Sequence, residues 1–132
     1  MMSENLTLPF TLEDVYGGLG EGNGLLHFDG ETFRLEFEAS VLGLWDMGVQ
    51  DIAVPLDDLV QIECKRGWFS TTLKLQGKSL RTFEKIPGSK QGNLLLTIKR
   101  DSRSQAEHLA SLVETKMTTR QLERLKDDLN SI

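Results

Sequence analysis

Hydrophobic and polar residues alternate along most of the chain up to about residue 99, in short runs separated by turn-forming residues. In the run 33–38, for example, Phe33, Leu35 and Phe37 alternate with charged residues, so one face is apolar and the other is charged. A half-buried antiparallel strand has this period of two. The pattern predicts seven strands, all before residue 101. They are 25–28, 33–38, 49–54, 59–65, 69–76, 79–86 and 93–99.

The segments between and before these runs carry turn signals. Asp29-Gly30 stands between the first two runs, which is typical of a two-residue β-hairpin. The segment 11–18 starts with a threonine, has acids in its first turn and ends in glycines, which predicts a short helix. The alternating glycines of 17–24 predict a flexible loop, because they lack the dinucleotide-binding spacing and precede a strand instead of following one.

The period changes after residue 101, where apolar residues recur at helical spacing and no glycine or proline interrupts them. The first apolar stripe comprises Ala106, Leu109, Ala110, Val113 and Met117. The second stripe comprises Leu122, Leu125 and Leu129. The step from the first stripe to the second is five residues, so the two are out of phase on one straight helix. We therefore predict a break or kink at Thr118-Thr119, which are weak helix formers that cap well.

Together these elements predict a mainly β fold with a C-terminal helix. Seven short antiparallel strands would form a small barrel or strongly bent sheet, capped by the amphipathic helix because its apolar stripe has to be buried. The predicted organisation is an N-terminal segment at 1–22 with a short helix, the β domain with its capping helix at 23–117, and a second short helical tail at 118–132.

This order of elements resembles the pleckstrin-homology-like (PH-like) superfamily, in which a bent seven-stranded barrel is capped by a C-terminal helix. The segments IAVPLDDLVQIECKRGWFSTTLKL and KIPGSKQGNLLLTIKRDSRSQAEHLASLV look like those of its bacterial members. The resemblance covers about 24–113, and none of the shared motifs is a catalytic signature. It implies a PH-like fold in a bacterial protein.

The resemblance does not extend to the lipid site of the eukaryotic relatives. Pleckstrin-homology domains that hold inositol phosphates do so with basic residues around the first hairpin. The corresponding hairpin here, 25–38, offers Arg34 alone against Asp29, Glu31, Glu36 and Glu38. A trianionic headgroup would meet net repulsion there, so we do not favour membrane headgroup binding at that position.

Composition adds a charge asymmetry and little else. Up to Glu63 there are 13 acids and one base, a balance of −12, whereas the remainder has 14 bases and seven acids, a balance of +7. Opposite charges on two parts of one domain can steer partners, including second copies of the same chain. The chain has one cysteine, no long apolar run and no signal-like N-terminus, which together predict a cytoplasmic location.

The residue types that form catalytic or metal-binding sites in other proteins do not occur here in the spacing of such a site. His27, His108 and Cys64 lack the spacing of metal ligands. Asp57-Asp58 reads as a turn, since neighbouring carboxylates in a turn point apart. The sequence contains no nucleophile elbow, phosphate-binding loop or zinc-protease motif. We therefore expect no enzyme activity, no cofactor and no metal site.

The remaining candidates are basic and apolar surface residues. The range 65–103 holds ten bases and two acids. A binding set drawn from it comprises Lys65, Arg66, Trp68, Lys74, Lys78, Arg81 and Lys85. Nucleic acid is not expected, because nucleic-acid-binding proteins usually have several aromatic residues among the bases and a positive net charge.

A candidate protein interface is formed by Leu122, Leu125 and Leu129. These features predict a non-catalytic module that binds protein, including a second copy of itself. The alternative is a binder of anionic ligands or lipid headgroups through the basic face.

Overall fold

The computed structural model describes residues 5–15, 20–41 and 45–131. They form seven strands, two short 3₁₀ turns and one long helix. The strands are β1 (Leu6–Val15), β2 (Gly20–Phe28), β3 (Thr32–Val41), β4 (Trp45–Pro55), β5 (Leu59–Arg66), β6 (Ser70–Gly77) and β7 (Asn93–Lys99). The helix, α1, runs from Arg103 to Asn130. The mainly β fold with a C-terminal helix is thus confirmed.

All seven strands belong to one antiparallel sheet, in the order β4-β3-β2-β1-β7-β6-β5. The two outermost strands, β4 and β5, follow one another along the chain through a 3₁₀ turn, Leu56–Asp58. No pairing joins them over the described residues, so the sheet is not closed into a barrel, and of the two predicted forms the open sheet is the one present. The first half of α1 packs on the sheet, mainly against β5 and β6.

The number of strands was predicted correctly, but one member was not. The predicted strand 79–86 is a series of turns, in which Ile86 N–H donates to Phe83 C=O at 3.0 Å and Ser89 N–H donates to Ile86 C=O at 3.2 Å. Phe83 and Ile86 are both buried, and their spacing of three suits consecutive turns better than a strand. The seventh strand is β1, whose Leu6, Leu8, Phe10 and Leu12 alternate with exposed or partly exposed residues.

The predicted N-terminal helix is also wrong where the structure describes it. Residues 11–15 continue β1, while 16–18 lie outside the described residues. The loop predicted for 17–24 is wrong from residue 20 onward, where β2 begins. The glycines alternate there because they occupy the inner face of a strand. Gly24 pairs with Phe10 of β1 on one side and with Phe37 of β3 on the other, and the boundary predicted at residue 23 falls inside this strand.

The turn predicted at Asp29-Gly30 is present, with three loop residues instead of two. The Asp29 carboxylate accepts hydrogen bonds from the backbone N–H groups of Glu31 and Thr32, at 2.9 and 2.8 Å. Gly30 has a φ of 101°, which favours glycine. These hydrogen bonds lower the pKa of Asp29. The rings that flank the loop, Phe28 and Phe33, stack with their centroids 4.6 Å apart.

Two residues that alternation places in the core are exposed. In β5 the register shifts between Leu59 and Gln61, so Leu59 and Ile62 point inward and Val60 is 52% exposed. A bulge of this kind reverses the face on which the following side chains lie. At the start of the next run, Phe69 belongs to the turn before β6 and is also exposed.

The predicted break at Thr118-Thr119 is wrong, because α1 continues through both threonines without interruption. The Thr119 hydroxyl group donates to the Thr115 backbone C=O at 2.9 Å, within the same helix. The mismatch between the two apolar stripes is therefore not resolved by a change in helix direction. One stripe is buried on the sheet, and the other is left on the opposite side of the same helix.

The core lies between the sheet and α1. It combines inward-facing residues of every strand, the turn residues Phe83 and Ile86, and four helix residues. The helix contribution consists of Ala106, Leu109, Ala110 and Val113. These four belong to the stripe predicted from the sequence, and its fifth member, Met117, packs against the core while partly buried.

Candidate interaction surfaces

The second half of α1 is held beside the sheet by arginine side chains. Arg120 Nη1 and Arg124 Nη2 donate to the same Asp57 oxygen, at 2.7 and 3.1 Å. Arg120 Nη2 also lies 3.9 Å from a Glu31 carboxylate oxygen. Asp57 lies in the 3₁₀ turn between β4 and β5, so this turn does more than reverse the chain. It fixes the rotation of α1 about its own axis beyond the point where the core ends.

These contacts predict the pH response of Asp57. The hydrogen bond from Arg120 holds the pKa of the Asp57 carboxyl below its ordinary value. A depressed folded-state pKa contributes stability above the unfolded-state pKa of about 4, and that contribution is lost as the pH falls through the lower folded value. We expect an NMR titration of the Asp57 carboxyl carbon to show a midpoint below the usual carboxyl range.

The matched variants for this titration are Arg120→Gln and Arg81→Gln. Arg120→Gln should return the Asp57 midpoint toward its ordinary value, since it removes the strongest donor. Arg81→Gln removes one positive charge elsewhere and should leave the midpoint unchanged. An unshifted midpoint in the unsubstituted protein would contradict the arginine contacts.

The leucine stripe, defined as Leu122, Leu125 and Leu129, faces solvent. The three side chains are 61%, 59% and 71% exposed. At 100° per residue, the stripe points roughly 140° away from the face of α1 that packs on the sheet. Because the core contacts and Arg120 fix the rotation of α1, the stripe cannot turn onto its own sheet without breaking them. It is a continuous apolar surface with no partner within the described part of the chain.

The charge asymmetry of the sequence survives in the fold. The strands of the acidic part, β1 to β4, are consecutive neighbours in the sheet. So are β6 and β7 of the basic part together with β5, which spans the boundary at Glu63. Among the described strands, the two groups pair with one another only between β1 and β7. The sheet therefore has an acidic half and a basic half, instead of interleaving their charges.

The hairpin between β5 and β6 ends in an aromatic tip, defined as Trp68 and Phe69. Both side chains are 90% exposed. The turn is closed by Gly67 N–H, which donates to Ser70 C=O at 2.8 Å. Arg103, at the start of α1, braces it by donating to Gly67 C=O at 3.2 Å and to the buried Thr71 hydroxyl at 3.0 Å. The tip is thus presented by an ordered turn.

The predicted binding set does not form one site. Arg66 and Trp68 lie at the tip end of the β5–β6 hairpin, whereas Lys78, Arg81 and Lys85 lie beyond the other end of β6. Strand β6 has eight residues, which separates the two groups by roughly 25 Å. The remaining two, Lys65 and Lys74, line a surface groove of about 590 Å³ that also includes Lys90 and Asn93.

Two of the predicted bases already have acidic neighbours. Arg66 Nε forms an ion pair with a Glu107 carboxylate oxygen, which raises the pKa of Arg66 and lowers the pKa of Glu107. Lys65 Nζ lies 3.7 Å from a Glu63 carboxylate oxygen. These pairs reduce the net positive charge that either base offers to a ligand.

The histidines and the cysteine have structural surroundings. His27 Nδ1 lies 3.1 Å from the Thr7 hydroxyl, and its Nε2 lies 3.2 Å from a Glu36 carboxylate oxygen. His108 is exposed on α1. Cys64 packs partly buried against the core, and burial raises the pKa of its thiol, which disfavours the reactive thiolate. Within the described residues, no group of three or more potential metal ligands comes together.

Sequence reasoning missed several residues around the aromatic tip. Phe69 was assigned to the core, and Lys99, Arg100 and Arg103 were not connected with Trp68. The pairing of Ser70 with Lys99 brings the end of β7 beside the tip. The sequence carried one usable signal, the adjacent Trp-Phe pair directly after a glycine.

The chain matches no protein-family model, no curated protein and no solved structure. Among the described residues, no helix combines the length and apolar character that crossing a membrane would require.

Proposed function

We propose that this chain is a non-catalytic, PH-like interaction module that binds protein, and in the first place a second copy of itself. The sheet order and the helix that packs on it are compatible with the PH-like fold. The observation that carries the proposed role is the leucine stripe, which is exposed on an ordered helix and turned away from the chain's own core.

The chemistry of the tail favours a protein partner. Leucines at intervals of three and four residues form a seam along one side of a helix, and a second helix with the same seam covers it. Residues 118–132 hold three bases and three acids, so the tail has no net charge with which to attract a charged polymer. A second copy supplies the matching surface by two-fold symmetry.

Sedimentation velocity over a range of protein and salt concentrations tests self-association. We expect the unsubstituted chain to sediment as a dimer or larger species at high concentration. The triple variant Leu122→Ala, Leu125→Ala, Leu129→Ala should sediment as a monomer. Both copies carry the change, so losing about 1 kcal/mol of burial free energy at each of six leucines would weaken dimerisation by about four orders of magnitude.

The matched control is Gln121→Ala with Asn130→Ala, which changes two exposed, neutral residues of the same helix segment. This variant should associate like the unsubstituted chain. Sedimentation of the unsubstituted chain as a monomer at every concentration and salt would refute self-association. Association that survives in the triple variant would place the interface elsewhere.

The second candidate is an anionic ligand at the basic half of the sheet. It is favoured by the groove that Lys65, Lys74 and Lys90 line together. It is weakened by the distance between the remaining bases and by the Glu63 and Glu107 contacts. Titration calorimetry with inorganic phosphate and with a soluble inositol phosphate would test it, and no heat above dilution with either compound would remove it.

A further inference from the structure

The aromatic tip is the most exposed apolar feature among the described residues. The rest of the chain covers only about a tenth of the surface of Trp68 and of Phe69. Exposed aromatic pairs of this kind are costly in water, since each ring could otherwise bury a large apolar area. The ordered turn beneath them, closed by the Gly67–Ser70 hydrogen bond and braced by Arg103, holds both rings outward at little further entropic cost.

The chain segments around the tip carry a net positive charge on their side chains. The segments 65–70 and 99–107 meet there, because Ser70 pairs with Lys99 and Arg103 contacts Gly67. Together the two segments hold five bases and two acids, a balance of +3, which becomes +2 when Glu63, 3.7 Å from Lys65 Nζ, is counted with them. We call Lys65, Arg66, Lys99, Arg100 and Arg103 the basic collar. One of the two acids, Glu107, is already paired with Arg66.

We propose that the aromatic tip inserts into the interface of a membrane rich in anionic lipids, while the basic collar binds the negatively charged surface. Tryptophan and phenylalanine are both favoured where apolar acyl chains meet polar headgroups. Each lysine or arginine near an anionic surface adds to the attraction, and the effect decays within a Debye length. The collar places that charge on the chain segments next to the tip.

The shape of the tip favours a lipid surface over a protein pocket. The two rings form a projection at a hairpin end, and a bilayer interface accepts a projection without a complementary cavity. A stable protein interface instead needs a surround of about 800 Å² on each partner, whereas the tip is flanked by charged residues. The groove lined by Lys74 and Leu95 lies along the strands and does not include the tip.

This inference is independent of the proposed self-association. Arg103 at the tip and Leu122 in the stripe are 19 residues apart on α1, which corresponds to roughly 28 Å along the helix. It also differs from headgroup recognition at the first hairpin, since no stereospecific pocket is required and the acidic hairpin takes no part.

Vesicle binding followed by tryptophan fluorescence tests the proposal with the full chain. The probes are vesicles of phosphatidylcholine alone and of phosphatidylcholine mixed with phosphatidylserine, with acyl-chain bromination to quench inserted tryptophan. We expect binding to the mixed vesicles only, quenching by the brominated lipid, and weaker binding as salt is added. Trp68→Phe should retain binding and lose most of the quenching, which assigns the signal to Trp68 and not to Trp45.

Variants in matched pairs separate the tip and the collar from general effects. The double variant Trp68→Ala, Phe69→Ala should weaken binding by roughly tenfold or more. Its control, Leu80→Ala, changes an exposed apolar residue elsewhere and should bind normally. Lys99→Gln with Arg100→Gln should also weaken binding roughly tenfold or more, whereas Lys78→Gln with Arg81→Gln removes the same charge away from the tip and should not.

Three results would overturn the proposal. One is the absence of binding to the mixed vesicles at low salt. Another is unchanged binding by the Trp68→Ala, Phe69→Ala variant, which would exclude the tip. The third is a larger loss from Lys78→Gln with Arg81→Gln than from the collar variant, which would move the lipid contact to the other end of the hairpin. Circular dichroism establishes that each variant is folded, and bromine quenching of the unsubstituted chain needs no variant.

Discussion

Replacing Gly24 by alanine is expected to lower the free energy of unfolding by about 3 kcal/mol or more, a large part of the stability of a domain this size. A Cβ atom at Gly24 would collide with the backbone C=O of Glu36 and would lie 2.6 Å from Cζ of Phe10 and 2.8 Å from Cβ of Phe37. The carbonyl belongs to the neighbouring strand, so relief requires β2 and β3 to move apart.

Gly22→Ala is the graded control on the same face of β2. A Cβ there would lie 3.0 Å from the Glu38 C=O and 3.3 Å from a methyl group of Leu12, and small shifts of the neighbours can relieve those contacts. Urea unfolding followed by circular dichroism should rank the stabilities as unsubstituted, then Gly22→Ala, then Gly24→Ala. Equal stability of Gly24→Ala and the unsubstituted chain would contradict the close approach of β2 to its neighbours.

The second large effect concerns two leucines of the same helix. Leu109→Ala should cost about 2–5 kcal/mol, because Leu109 is 1% exposed and its removal leaves a cavity between α1 and the sheet. Leu122→Ala should change the stability of the isolated chain by no more than about 0.5 kcal/mol, because Leu122 projects into solvent. The substitution is chemically identical in both cases, so the difference reports burial alone.

Chemical unfolding at low protein concentration gives the free energy of unfolding of both variants without a contribution from association. The dependence of unfolding on denaturant should stay the same in both variants, since neither changes the extent of the fold. A loss in Leu122→Ala as large as in Leu109→Ala would mean that α1 is rotated with the leucine stripe on the sheet. That result would remove the surface on which the proposed self-association depends.

Local patterns of side chains predicted most of the elements correctly. Alternation over 33–38 and 93–99, and helical spacing from Ala106 onward, each reflect the direction in which successive side chains leave the backbone. This direction depends only on the local conformation, so it can be read from the sequence. The errors fall where a second pattern competes. In 79–86 the two buried residues, Phe83 and Ile86, are three positions apart, which fits consecutive turns better than the two-residue period of a strand.

The leucine stripe was predicted as a candidate interface and the structure exposes it, although for a reason the sequence did not reveal. We expected the helix to break at Thr118-Thr119 because the two stripes are out of phase on one straight helix. A break depends on whether the free energy gained by burying the second stripe exceeds the cost of interrupting the helix. In this fold Arg120 and Arg124 contact Asp57 instead, and that contact involves a residue more than 60 positions away.

What the sequence determined by itself is the kind of element at most positions, because period and turn chemistry are local properties. Only the tertiary structure decided which strands are neighbours, and hence that the acidic and basic strands lie in separate halves of the sheet. It also decided that Lys99 and Arg103 lie beside Trp68. Strand order is set by pairing between distant segments, so no local pattern could have placed an aromatic tip inside a basic collar.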